Sequence, residues 1–273
     1  MSVPTEKSVE ERRSDLHKAQ SITMSPELFE QLYLAPHTRV KGDLRHKFGN
    51  PTPFALSGFL LCTTPASMSL LGWAGAGGFG AGANVGSYFW LGGIVTLLGA
   101  IGEWILGNTF PSVLFGVFGG FWLSFGSTIV PEYGAYAIYS RSGSAADGLT
   151  EPQFFATFAM WLIAMAIMCT VFAIASVRTN VILFTILIIL VPCCSFTVSL
   201  LSAAFFEVSK GNADLSLTYQ HAAAGILFVV SILGWYMFLS LMLLSVDFPF
   251  AFPMGDLSSR VPGMTKKSDK DSV

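Results

Sequence analysis

Residues 54–244 carry few charged side chains, and their apolar residues gather into runs close to the length that crosses a lipid bilayer. A helix needs about 20 predominantly apolar residues to span the hydrocarbon core. Six segments reach or approach that length, at about 54–74, 86–106, 111–131, 153–176, 181–205 and 222–245. In water, such runs would have to be covered on every face. A chain with 52% hydrophobic and 12% charged residues has too little polar surface to cover them, and its mean hydropathy of +0.60 agrees. Backbone polar groups in lipid must be satisfied within the spanning segment. The expected fold is therefore an all-α integral membrane protein, a bundle of six transmembrane helices.

Charge divides the chain into an N-terminal tail over 1–48, an embedded domain over 49–256 and a C-terminal tail over 257–273. An even number of crossings puts both tails on one side. The positive-inside tendency makes that side cytoplasmic, because Arg39, Lys41, Arg45, Lys47, Arg178 and Arg260 fall there while the opposite face keeps Arg141 and Lys210. The N-terminal tail reads as mobile apart from a short helix after Ser25-Pro26-Glu27. With no cleavable leader pattern, the first apolar run is expected to act as an uncleaved signal anchor. The uncharged, glycine-rich loop over residues 75–82 lacks the lysine and hydroxyl of a phosphate-cradling loop. Cys62, Cys169, Cys193 and Cys194 lie inside apolar runs without metal-ligand spacing and read as packing residues, so no metal or cofactor is expected. Four-residue spacing of Gly116 with Gly120, and of Ser195, Ser199 and Ala203, suits close packing of helices or protomers. A basic stripe with interleaved aromatics is missing, which argues against nucleic acid as a partner.

The polar residues near the spans are the candidates for function. Asn50-Pro51-Thr52-Pro53 opens the first span, where a proline in the first turn sacrifices no needed donor. The free N–H groups above it make a partly positive site suited to an anion. Asn108-Thr109-Phe110-Pro111 repeats the device at the third span, so the two helix starts either form a vestibule for carboxylates or are ordinary caps. Glu103 is the ionisable residue within the membrane region of the first three spans, and an intramembrane carboxylate is costly enough to need a reason. It serves either proton coupling or the anchoring of the Asn108 loop. Thr63 and Thr64 in the first span offer hydroxyls to a solute or to the preceding helical turn, and Tyr236, His221 and Asp247 complete the polar set around the last span.

Taken together, five spaced motifs resemble the acetate uptake transporters, also called succinate-acetate permeases, and in particular their fungal branch. The residues that carry the likeness are Asn50-Pro51-Thr52-Pro53-Phe54-Ala55-Leu56; the run from Glu103 to Phe110; Gly120-Phe121-Trp122-Leu123-Ser124; Arg178-Thr179-Asn180-Val181; and Pro253-Met254-Gly255-Asp256-Leu257-Ser258. The resemblance implies a homohexamer in the plasma membrane, with one carboxylate pathway through each protomer. A hydrophobic constriction of Phe, Tyr and Leu interrupts that pathway; by motif position the first two fall on Phe59 and Phe118, and the resemblance puts the Leu, on a helix without a strong anchor motif, at Leu190. An apolar ring of this kind gates by dewetting. Asn50, Pro51, Pro53, Thr63, Thr64, Asn108, Thr109 and Trp122 then stand as vestibule or substrate-contact candidates. Thr52, Phe54 and Ala55 depart from the family's Ala, Leu and Gly, and Phe118 stands where the family carries Tyr.

The function implied is transport of acetate or a similar small carboxylate, by proton symport or channel-like permeation. The alternative is a membrane sensor of acetate that does not transport. Enzymatic activity is not expected, because the spans hold no Ser-His-Asp set, metal motif or paired aspartates.

Overall fold

The computed structural model describes residues 48–190, 197–250, 252–257 and 261. These residues form helices and turns with no β-strand among them; an isolated bridge pairs Asn180 with Asp256. Helix α1 runs Thr52–Leu70, α2 Phe79–Ile105, α3 Thr109–Ile129, α4 Pro152–Ser176, α5 Val181–Leu190, α6 Thr197–Ser209 and α7 Ala213–Ser245. Four of them, α2, α3, α4 and α7, are long and apolar enough to cross a membrane. Helix α1 has 19 residues but carries more Ser and Thr than those four. Helices α5 and α6 are shorter apolar helices that share the fifth expected span, and residues 191–196 between them lie outside the described residues, as does the expected helix after Ser25.

Two boundaries differ from the apolar runs. Helix α7 begins at Ala213 rather than near 222 and reaches 33 residues, about 50 Å at 1.5 Å per residue. Its first turns, with Asp214, Thr218 and His221, are helical but polar, so hydropathy does not register them. Helix α2 extends back into the glycine-rich loop as a 3₁₀ segment at Phe79–Asn84, and it widens into a π-helix over Tyr88–Val95. There Phe79 leaves the loop to pack among Tyr136, Phe154, Phe155 and Phe205, with ring centroids 5.8–6.4 Å away.

Helices α1, α2 and α3 pack together, α4, α6 and α7 form a second group, and α1 joins α7. Trp235 Nε1 in α7 donates to Thr64 Oγ1 in α1 at 3.0 Å, and Gln220 Nε2 donates to the Leu70 carbonyl at 3.2 Å. Helix α3 meets α4 through stacked rings, Phe121 on Trp161 at 5.1 Å and Phe125 on Phe158 at 5.9 Å between centroids. Helices α1 and α2 lie close at Gly99, where a Cβ would lie 2.4 Å from the Ala55 Cβ, and at Gly58, where one would lie 2.5 Å from the Leu91 carbonyl oxygen. Gly116 and Gly120 do not serve this purpose within the protomer: a Cβ on Gly116 would meet only Ala100 Cβ at 3.9 Å, and one on Gly120 nothing within 4 Å. Spacing of small residues names a stripe but not the neighbour it faces.

Candidate functional site: a clamped helix-start cluster and two apolar cavities

Helices α1, α3 and α5 all start at the end of the bundle where the C-terminal segment lies, here called the tail side, and each start is preceded by an asparagine. Asn50 Oδ1 accepts from the Thr52 amide at 2.9 Å. Thr52 Oγ1 in turn donates to Glu103 Oε1, and Asn108 Nδ2 donates to Glu103 Oε2 at 2.7 Å. Thr52 and Glu103 are fully buried and Asn108 nearly so. The carboxylate thus ties the start of α1, the end of α2 and the start of α3 into one cluster, with both oxygens engaged. Asn180, also fully buried, caps α5 by accepting from the Leu183 amide at 2.8 Å.

A strap from the C-terminal segment closes over that third start. The Val181 amide donates to the Gly255 carbonyl at 2.9 Å, and the Leu257 amide to the Thr179 carbonyl at 3.0 Å. Tyr236 donates its hydroxyl to the Pro253 carbonyl at 2.8 Å, and Met254 is buried in the main core.

Two apolar cavities lie along the bundle. The tail-side cavity has a volume of about 40 Å³ and is walled by Leu56, Leu114, Leu183, Met237 and their neighbours. The loop-side cavity, of about 60 Å³, is walled by Leu70, Tyr88, Trp122, Phe125, Leu201 and others. Phe59, Phe118 and Leu190 belong to both linings, and they are the described residues that the two share. Phe59 and Phe118 meet edge to face with centroids 5.4 Å apart, and all three side chains are buried. Three helices, α1, α3 and α5, therefore each contribute one bulky side chain to the partition between the cavities.

A family model described as the GPR1/FUN34/yaaH family matches residues 34–259. The chain belongs to that family. Protein alcS of Aspergillus fumigatus is 41% identical over 239 residues, which cover 87% of this chain and 86% of alcS. The acetate transporter protein patA of Aspergillus clavatus is 29% identical over 210 residues, 77% of this chain and 79% of patA. Among solved structures, the bacterial acetate channel SatP aligns with a TM-score of 0.54 and 18% identity, over 76% of this chain and 99% of that one. The likeness to SatP shows a shared fold.

In this GPR1/FUN34/yaaH protein the remaining candidates scatter. Thr63 donates to the Phe59 carbonyl at 2.7 Å, so its hydroxyl serves the helix, and Thr64 accepts from Trp235. Neither lines the two cavities. Asn50 and Pro53 line a separate open groove between the start of α1 and the end of α7, while Pro51 packs against Gly102 and Thr109 is exposed. Trp122 does line the loop-side cavity, stacked on Tyr88 at 5.1 Å. Two participants were not among the expected functional residues. Asn180 was legible as part of a family motif, and its kinship with Asn50 and Asn108 as a helix-start asparagine was the available signal. The wall formed by Tyr88 depends on the π-helical stretch of α2, for which the local sequence carries no signature.

Proposed function

We propose that this protein moves acetate or a similar small monocarboxylate across the plasma membrane, along a route through each protomer of a hexamer. The observation that carries this reading is the position of Phe59, Phe118 and Leu190 as the shared wall of two apolar cavities. The names of patA and SatP supply the substrate class, since both are described by acetate. In this reading the chain crosses the membrane six times with both tails cytoplasmic, and the three asparagine-led helix starts form the cytoplasmic mouth. Their N-terminal amides favour an anion there. Farther in, the aromatic and leucine partition resists wetting, so ions do not leak, and a solute passes when the side chains rotate aside. Glu103 acts as the clamp that keeps two of the helix starts in place. It does not line either cavity, and its oxygens already accept from Thr52 and Asn108. Phe118 brings no hydroxyl to the partition, so passage there relies on size and apolar contact.

The test is uptake of labelled acetate into liposomes containing the purified protein, with and without a pH gradient and with competing carboxylates. Flux above that of protein-free vesicles is expected, and its dependence on the imposed gradient separates symport from channel-like permeation. Vesicles no leakier than empty ones would refute transport. Saturable acetate binding by the same inert preparation would point to the sensor reading instead.

A further inference from the structure

Helix α5 has ten residues, about 15 Å at 1.5 Å per residue, half of what a full span needs. It nevertheless walls much of the tail-side cavity, through Leu183, Ile186, Leu187 and Leu190. These positions follow the i, i+3, i+4, i+7 pattern of one helical face, so a slide or rotation of α5 moves all four together. Helix α7 lines the same cavity with Val230, Gly234 and Met237. Lipid and protein core are equally apolar, so burial alone does not fix how such a short helix sits against its neighbour.

The C-terminal segment grips both helices at once. On α7, Tyr236 donates its hydroxyl to the Pro253 carbonyl at 2.8 Å, and the fully buried Ser240 donates to the Phe252 carbonyl at 3.2 Å. The rings of Tyr236 and Phe252 also meet, with centroids 5.4 Å apart. At the start of α5, the Gly255 carbonyl accepts from the Val181 amide, the Leu257 amide donates to the Thr179 carbonyl, and Asn180 bridges Asp256. Arg178, in the turn before α5, donates from Nε to the Val261 carbonyl at 3.2 Å. Between the two grips Met254 is 1% exposed and belongs to the main core. Gly255 has φ +68°, and a Cβ there would lie 2.7 Å from Val181 Cγ2, so the segment lies flush against the helix it pairs with. None of residues 252–257 lines either cavity.

We propose that residues 252–257 are a staple across α5 and α7 that fixes where Leu190 stands in the partition, and so sets the size of carboxylate that passes. The proposal rests on the transport reading above and adds to it a determinant of selectivity that lies outside the route. Met254 and Tyr236 are positioning residues: they touch no solute and act through α5. With the staple closed, Leu190 stays in the shared wall with Phe59 and Phe118. With it loosened, α5 shifts away from α7, the wall opens at Leu190, and longer carboxylates pass.

The test compares the full-length protein with M254A, M254L and Y236F, at matched amounts of folded protein, by two measurements. The first is amide exchange in detergent. Y236F removes one hydrogen bond from the staple, so exchange across α5 is expected to rise roughly two- to ten-fold. The second is uptake of labelled acetate and butyrate into liposomes. In M254A the acetate-to-butyrate ratio is expected to fall about three-fold or more, part of the roughly ten-fold or greater discrimination that a methylene carries in an apolar pocket. M254L refills the space and should recover the ratio. If M254A does not fold, Y236F carries both measurements. Wild-type exchange in α5 of the folded variants overturns the proposal, and so does a rise shared equally by every helix. Faster exchange in α5 with an unchanged acetate-to-butyrate ratio overturns it as well. A wild type without flux sinks the transport reading and the selectivity role with it, while faster exchange confined to α5 and its partners would still establish the staple.

Discussion

Thr52 Oγ1 donates a hydrogen bond to Glu103 Oε1, joining the first turn of α1 to the last turn of α2 across 51 positions of sequence. Since Asn108 holds the other carboxylate oxygen, the pair is one half of a clamp. In E103Q one carboxylate acceptor becomes an amide donor, so Asn108 can still donate to the remaining oxygen while the Thr52 hydroxyl must turn to accept, and two buried bonds to a charged acceptor become neutral ones. That leaves a loss of about 1–3 kcal/mol. The expected outcome is a lower thermal unfolding midpoint in detergent and less folded protein, with the pH profile of acetate uptake unchanged in what remains. A normal midpoint with an altered pH profile would instead make Glu103 a proton carrier.

Removing Phe59 or Phe118 opens the partition between the cavities. F59A and F118A are each expected to admit larger carboxylates and to raise acetate flux at equal surface expression. Truncating a buried Phe also costs about 3–5 kcal/mol, so F59L and F118L are the milder companions. If uptake and selectivity are unchanged in all of them, the partition is not part of the route.

Phe118→Tyr places a hydroxyl on a ring whose centroid lies 5.4 Å from that of Phe59, in the wall shared by both cavities. A hydrogen bond to a passing solute contributes about 0.5–1.5 kcal/mol. Half-saturating acetate should fall several-fold in F118Y, as measured by concentration-dependent uptake. A folded F118Y with the wild-type half-saturation would mean that the solute does not touch this position.

Gly99 allows α2 to lie against α1, and Ala55 fills the contact from the other side. G99A puts two methyl groups in one space and is expected to cost about 1–3 kcal/mol. Exchanging the pair in A55G/G99A should restore only part of the unfolding midpoint, because the new Cβ would still lie 2.7 Å from the Cα and 2.8 Å from the backbone N of residue 55. A complete rescue would show that the Ala55 methyl alone sets the spacing of the two helices.

Asn180→Ala removes the side-chain acceptor from the Leu183 amide and weakens the start of α5 by about 1 kcal/mol. Faster amide exchange is expected over the first turn of α5 and over the strap that pairs with it at Gly255 and Leu257. Exchange confined to distant helices would argue against this coupling.

Much of this architecture was legible before any coordinates. Apolar runs mark the helices because a bilayer demands roughly constant length and internal hydrogen bonding, and those are local properties. The spaced motifs also placed Phe59, Phe118 and Glu103 among the residues worth watching. The start of α7 was hidden for the same reason that the spans were visible: hydropathy reports the solvent around a helix, and polar turns continue a helix beyond it.

The sequence by itself determined that this chain belongs in lipid, where its helices begin and end to within a few turns, and which residue types lie near their starts. Only the tertiary structure decided that Thr52, Glu103 and Asn108 close one clamp, that Gly99 rather than Gly120 makes a close approach, and that the Trp122 indole N–H is buried. The physical reason lies in the environment. In water an amphipathic stripe announces which face of a helix turns inward, but lipid and protein core are equally apolar. The inward face is then chosen by shape and by a few long-range polar contacts, and neither is written in any one window of the chain.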